Sequence, residues 1–175
     1  SFGGINRINF NTDGSVAVKR LELKASFKKR LEQSILLFYL GTNRSAKSVL
    51  QEQDTRTKLG KNTSYLNEMV SLVKPFEQAL TNCDLNEIGR LMRWNWDLKK
   101  RLCSSVSNSL VDDSYRTAIS NGAIGGKLLG AGSGGFLCLL VLEENEAQVR
   151  AALSNFKEIS VSFDQTGTDI IYENE

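Results

Sequence analysis

The sequence predicts an α+β fold, an antiparallel sheet with helices on one face in the ferredoxin-like plan, with a helical insertion after the sheet's first strand. Three observations carry this. The apolar run 35–40 ends at Gly41. A glycine-dense stretch, 125–135, leads directly into a second apolar run from Phe136 to Leu142. Between the two, residues 44–121 keep helical spacing almost throughout. The resulting order is strand, helices, strand, glycine loop, strand, helix, strand.

Taken in order, Ile8 and Phe10, then Asn11-Thr12-Asp13-Gly14, then Val16 and Val18 predict a hairpin turning at Asp-Gly. The apolar phase slips between Val18 and Leu21, which predicts a bulge or strand change near Lys19-Arg20. Ser26 is a candidate cap for a short helix with Phe27 and Leu31 on one face. Run 35–40 reads as a buried strand. Thr42-Asn43-Arg44-Ser45 then starts a helix carrying Ala46, Val49, Leu50 and Gln53 and ending near Gly60.

Tyr65, Met69, Leu72, Phe76 and Leu80 hold helical spacing across 64–80, where Pro75 is expected to kink or divide the helix. Asp84 caps the next one. Its seam of Ile88, Leu91, Asn95, Leu98 and Leu102 turns one polar residue, Asn95, inward. Beside that seam runs a stripe of Met92, Trp96, Lys99 and Cys103. A helix from Val111 stops at Asn121-Gly122. The glycine-loop hairpin follows. After it come an amphipathic helix to 155 with Val149, Leu153 and Phe156 inward, a strand at Ile159, Val161 and Phe163, and a candidate last strand over 167–172.

Composition excludes several classes. Of the 175 residues, 41% are hydrophobic and 24% charged, as in an ordinary globule. Net charge is +2 and no basic block exceeds three residues, so nucleic-acid binding has no electrostatic footprint. Apolar runs fall far short of a bilayer span, and no secretory signal opens the chain. Cys83, Cys103 and Cys138 have no metal-like spacing, and the sequence has no histidine, which argues against a zinc site and excludes Ser-His or Cys-His nucleophiles. Free thiols point to the cytoplasm.

The candidate site centres on Gly125-Gly126-Lys127-Leu128-Leu129-Gly130-Ala131-Gly132-Ser133-Gly134-Gly135-Phe136. Glycines at this density permit φ > 0 and turn successive N–H groups toward one point, a concavity suited to phosphate. A plain glycine-rich turn between strands fits the spacing equally well. A Walker A loop is excluded because Lys127 precedes the glycines; a Rossmann fingerprint is excluded because a strand, not a helix, follows. Thr42 to Ser45, with Arg44, form a second candidate anion site at a helix start, ordinary capping being the alternative. Trp96 one turn from Lys99 fits either a sugar platform beside an ammonium, or a core tryptophan with a lysine reaching water.

These residues carry a resemblance. Gly-Gly-Lys-Leu-Leu-Gly-Ala-Gly-Ser-Gly-Gly-Phe-Leu resembles the third, C-terminal motif of the GHMP kinase superfamily, most closely its sugar-phosphate branch of D-glycero-D-manno-heptose 7-phosphate kinases and fucokinases. Leu40-Gly41-Thr42-Asn43-Arg44-Ser45-Ala46, Asn95-Trp96-Asp97-Leu98-Lys99-Lys100 and Phe2-Gly3-Gly4-Ile5-Asn6 resemble the same branch, so the likeness runs along essentially the whole chain. Ser133 stands where the family more often has glycine. The family's nucleotide-binding glycine-serine loop and catalytic aspartate belong to an N-terminal half that precedes a segment like Ser1 to Asn6.

The resemblance implies transfer of the γ-phosphoryl of ATP, with Mg2+, to a sugar phosphate, at the anomeric hydroxyl of a heptose 7-phosphate. It places Gly130, Ala131, Gly132, Ser133, Gly134 and Gly135 at the phosphates. Lys127, Arg44 and Lys99 would hold the acceptor's phosphate, with Thr42 at the same turn and Trp96 walling the sugar pocket. It assigns no catalytic residue or metal ligand to this chain. Residues 1–24 would be a hairpin of the N-terminal domain and 25–175 the C-terminal domain. Such a chain alone is expected to be inactive, to need its N-terminal half as partner and to risk self-association through an unpaired edge. The alternatives are a ferredoxin-like regulatory module that binds a small ligand without catalysis, or a kinase of fucose or galactose. A kinase half predicts exposed apolar surface on 1–24 and near the glycine loop; a self-standing sensor predicts a symmetric dimer.

Overall fold

The computed structural model describes residues 2–42, 46–130, 132 and 134–168. Two sheets organise it. The first is a ribbon of β1 (Asn6–Phe10) and β2 (Val16–Arg20), turning through Gly14 at φ +84°. Its register runs unbroken from Asn6↔Arg20 to Phe10↔Val16, and Leu21 extends it by donating its N–H to the Ile5 carbonyl at 2.8 Å. Neither the bulge nor the strand change expected near Lys19-Arg20 is therefore present. The phase slip arises because both sides of the ribbon carry apolar residues. Leu21 turns into the body of the protein, while Ile8, Phe10, Val16 and Val18 pair across the other side and stay exposed. On the inner side Arg7 and Lys19 both bind Glu77, at 2.7 and 2.8 Å.

The second sheet has four antiparallel strands in the order β4-β5-β3-β6: β3 (Ile35–Thr42), β4 (Ala123–Leu129), β5 (Gly134–Val141) and β6 (Lys157–Ile159). The apolar runs become its centre because residues alternate between two faces. One face, with Leu36, Phe38, Leu137, Leu139 and Val141, is buried under helices. These are α5 (Leu85–Leu102), α6 (Ser109–Ser120) and α7 (Glu146–Ala152). The other face is covered at one end only. There Leu140 meets Phe27 and Leu31 of α1 (Ala25–Gln33) and the inner seam of α5 in a second core. Toward the glycine loop this face opens, and Tyr39, Leu129 and Phe136 are about two-fifths exposed, the Tyr39 and Phe136 rings 5.2 Å apart.

The insertion is helical, as its spacing predicts, with shifted joints. Residues 64–80 divide into α3 (Thr63–Ser71) and α4 (Val73–Thr81) at Leu72, ahead of Pro75. Pro75 then falls in the first turn of α4, where its missing N–H sacrifices no helical bond. Asp84 does cap α5, its Oδ1 accepting from the Glu87 N–H at 3.0 Å, and Asn108 caps α6 in the same way through Val111. Ser26 lies inside α1 rather than capping it, since the helix begins at Ala25. Before α3 comes α2 (Ala46–Lys58).

The expected strand through Phe163 stops at Ile159. Beyond it the chain leaves the sheet for the ribbon: Phe163 donates its N–H to Glu32, the Asp164 carbonyl accepts from Gly4, and Gly167 bridges Phe2. The rest of the candidate last strand, from residue 169, lies outside the described residues.

Candidate functional site

The β4–β5 ladder ends at Leu129↔Phe136, and Gly134 pairs instead with Thr42 of β3. The turn between them has backbone geometry that favours glycine. Gly130, Gly132 and Gly135 take φ of +102°, +129° and +113°. Gly132 also sits against the backbone of Val106, where a β-carbon would come within 2.8 Å. Val106 ends a short 3-10 turn, Ser104–Val106, that follows α5. Glu52 of α2 fixes that turn by accepting from the Ser104 N–H at 3.0 Å and from the Ser104 and Ser105 hydroxyls. These bonds, the Ser105 hydroxyl first, hold the Glu52 carboxyl below its ordinary value. Ala131 and Ser133 lie outside the described residues.

One lysine bonds to this turn and a second stands near the first, on a different element. Lys99, half-buried on α5, donates from Nζ to the Gly130 carbonyl at 3.1 Å. Lys127 stands on β4 opposite Cys138. Burial holds the Lys99 ammonium below its ordinary value, and the charge of Lys127 pushes it further down. Burial also pushes the Cys138 thiol up, against the pull of Lys127. Neither lysine has a carboxylate partner among the described residues. Two mutually repelling cations beside a ring of glycines would be relieved by an anion.

Comparison with known proteins fits this geometry. Residues 76–159 match the family model described as GHMP kinases C terminal. This is a GHMP kinase C-terminal domain. The chain is 32% identical over 145 residues to the D-glycero-alpha-D-manno-heptose 7-phosphate kinase of Campylobacter jejuni, covering 81% of this chain and 42% of that protein. It is 33% identical over 134 residues to the bifunctional fucokinase/GDP-fucose pyrophosphorylase of Arabidopsis thaliana, covering 75% and 13%. Its fold matches the mevalonate kinase of L. major in complex with R-mevalonate with a TM-score of 0.70 at 22% identity, over 88% of this chain and 45% of that one. The chain thus spans less than half the length of each.

Within this GHMP domain the remaining predicted residues separate. Trp96 is 0% exposed, locked in the main core with its ring 6.4 Å from that of Tyr115. A ring with no accessible face cannot wall a sugar pocket, so that expectation is corrected: the core alternative holds for Trp96. The reason is helical phase. On α5 position 96 turns toward the sheet, while positions 95 and 99 turn toward Lys127. Arg44 lies outside the described residues, and for Thr42 only the backbone, paired with Gly134, is described.

Asn95 is the site residue the resemblance did not assign. With Met92 and Lys127 it lines a cavity of about 360 Å3 between β1, the helices α3 to α5, and β4. Its signal was in the sequence, as the one polar residue in an apolar seam. A larger cavity, about 830 Å3, lies where β3 begins and β5 ends, lined by Arg30, Asp84, Glu143 and Arg150. It contains no predicted site residue.

Proposed function

We propose that this chain is the C-terminal, acceptor-binding half of an ATP-dependent sugar-phosphate kinase whose acceptor is D-glycero-D-manno-heptose 7-phosphate. The acceptor's anomeric hydroxyl attacks the γ-phosphorus of ATP, the bond to the β-phosphate oxygen breaks, and ADP leaves. The hydroxyl proton goes to a base in the N-terminal half. Phosphoryl transfer depends chiefly on positioning and on neutralising charge. This half supplies both: the amides of the glycine turn face phosphate oxygens, and Lys127 and Lys99 hold the acceptor's phosphate.

The observation that carries the reading is Lys99, bonded to the Gly130 carbonyl, with Lys127 near enough to depress its ammonium and neither paired by a carboxylate among the described residues. Mg2+ would be held by the ATP phosphates and the other half, as the resemblance implies. Residues 1–24 would complete the sheet of the N-terminal domain, leaving 25–175 as the C-terminal domain. The exposed apolar side of the ribbon and the open end of the larger sheet support a missing partner surface over a self-standing sensor. No helix among the described residues is long and apolar enough to cross a membrane, and the free thiols support a cytoplasmic location.

The test is Lys127→Met in the full-length protein, with thermal unfolding as the control for folding. The acceptor KM is expected to rise at least tenfold while the ATP KM stays put. Unchanged constants for both substrates would remove the acceptor site from this position. The isolated chain is expected to turn over no ATP.

A further inference from the structure

Four of the five residues on the inner seam of α5, Ile88, Leu91, Leu98 and Leu102, are at most 2% exposed. The fifth, Asn95, breaks the pattern. Its amide is half-buried, opens into the cavity beside Lys127, and makes no hydrogen bond to protein among the described residues. A leucine there would continue the seam and bury more apolar area. Both polar atoms of the amide stay accessible to solvent, so in the free chain water satisfies them, and a ligand hydroxyl reaching them has to replace that water.

The surroundings indicate which ligand that is. Asn95 and Lys99 lie four residues apart, on one face of α5, and Lys127 meets them from β4. Asn95 and Lys127 therefore line one cavity whose size suits a small molecule, with Lys99 just outside it and near enough to Lys127 to feel its charge. The cations take the charged group of an anion. The amide, with two donors and one acceptor oxygen, suits a neutral hydroxyl next to it.

We infer that Asn95 reads the acceptor, hydrogen-bonding a hydroxyl of the sugar phosphate whose anionic end sits at Lys127, and so sets which sugar phosphate is taken. This rests on the acceptor site proposed above and adds a specificity residue to it. A site that pairs its own polar group with a substrate hydroxyl discriminates strongly against analogues lacking that hydroxyl, because the amide is then left unsatisfied.

A structural and a substrate-reading role for Asn95 predict opposite signs in one experiment. In the full-length protein, with D-glycero-D-manno-heptose 7-phosphate as acceptor, Asn95→Leu is expected to keep or raise the unfolding temperature. It is expected to raise the acceptor KM at least tenfold, with the ATP KM unchanged, and to weaken acceptor binding in calorimetry without ATP. Asn95→Gln, which keeps the amide, should recover part of the binding. Lower stability with unaltered acceptor binding would overturn the inference. Asn95→Ala, which only removes the amide, gives the same readout if the leucine variant does not fold. If Lys127→Met weakens acceptor binding and neither Asn95→Leu nor Asn95→Ala does, the inference fails and the acceptor site stands; if none of these three does, both fail.

Discussion

Gly125 of β4 lies directly against the carbonyl of Gly89 on α5, with no room for a β-carbon between them. A β-carbon on Gly89 would in turn come within 2.8 Å of Ile124. This contact sets how close α5 rides to β4. It therefore brings Lys99 to Gly130 and Asn95 to the side of Lys127.

Gly125→Ala is accordingly expected to force α5 away from the strand and to cost about 1–3 kcal/mol, as overpacking does. Urea unfolding of the chain measures it. Gly130→Ala is a useful contrast, since among the described residues no atom beyond its chain neighbours lies within 4 Å of its β-carbon position. Its cost comes only from the positive φ.

Cys83 is the one described non-glycine residue with positive φ, at +59°. It follows the end of α4, where its N–H reaches the Leu80 carbonyl and the Asp84 N–H reaches that of Ala79, the two bonds of a Schellman cap. Glycine is the residue that cap favours. Cys83→Gly should raise stability by about 1 kcal/mol, and the Arg30 bond to the residue 83 carbonyl should survive. Denaturant midpoints at constant m-value decide it.

Lys99 gives a pH signature. Its folded value lies below 10.5. Between that lowered value and 10.5 the unfolded chain binds more protons than the folded one, so this lysine makes stability rise with pH there. The Tyr115 phenol, pushed up to about 12 by burial, and the Cys138 thiol act in the opposite direction, since both ionise first in the unfolded chain. The measurement is thus the difference between the protein and Lys99→Met across alkaline pH. The rising component should vanish in the variant. Added inorganic phosphate should raise the Lys99 value and be taken up with protons, which calorimetry in two buffers detects.

Trp96→Ala is expected to cost about 3–5 kcal/mol, the usual range for a fully buried large ring. Trp96→Phe should cost less and, in the full-length protein, leave the acceptor KM unaltered. A selective rise in that KM would return the indole to the site.

Phe10 is 80% exposed and shares its side of the ribbon with Ile8, Val16 and Val18. The isolated chain is expected to self-associate through this surface at high concentration. Phe10→Ser should shift sedimentation toward the monomer without lowering the unfolding midpoint.

Much of this was legible in the order of residues, because it follows from local chemistry. Alternation and the apolar runs gave β3 and β5, the Asp84 side chain began α5, Gly122 ended α6, and the glycine density from Gly125 foretold a turn with positive φ. The motif resemblance also pointed to the right family. Residues whose role depends on which way a helix rolls were not legible. Trp96 and Asn95 are adjacent in the chain; Trp96 fitted either a sugar platform or the core, and Asn95 was legible only as a polar residue facing inward, since periodicity gives a helix its faces but not what each face meets. Likewise the Val18–Leu21 phase slip looked like a bulge until the ribbon proved to have one buried side and one exposed side.

The sequence by itself determined the elements, their order, and where amides and cations are concentrated, since these depend on side-chain shape and backbone freedom within a few residues. Only the tertiary structure decided that Lys99 and Lys127, 28 positions apart, come close enough to repel each other and that Trp96 belongs to the core. The close passage of Gly89 and Gly125 fixes the rotation of α5 over the sheet, and that rotation assigns each side chain to core or cavity.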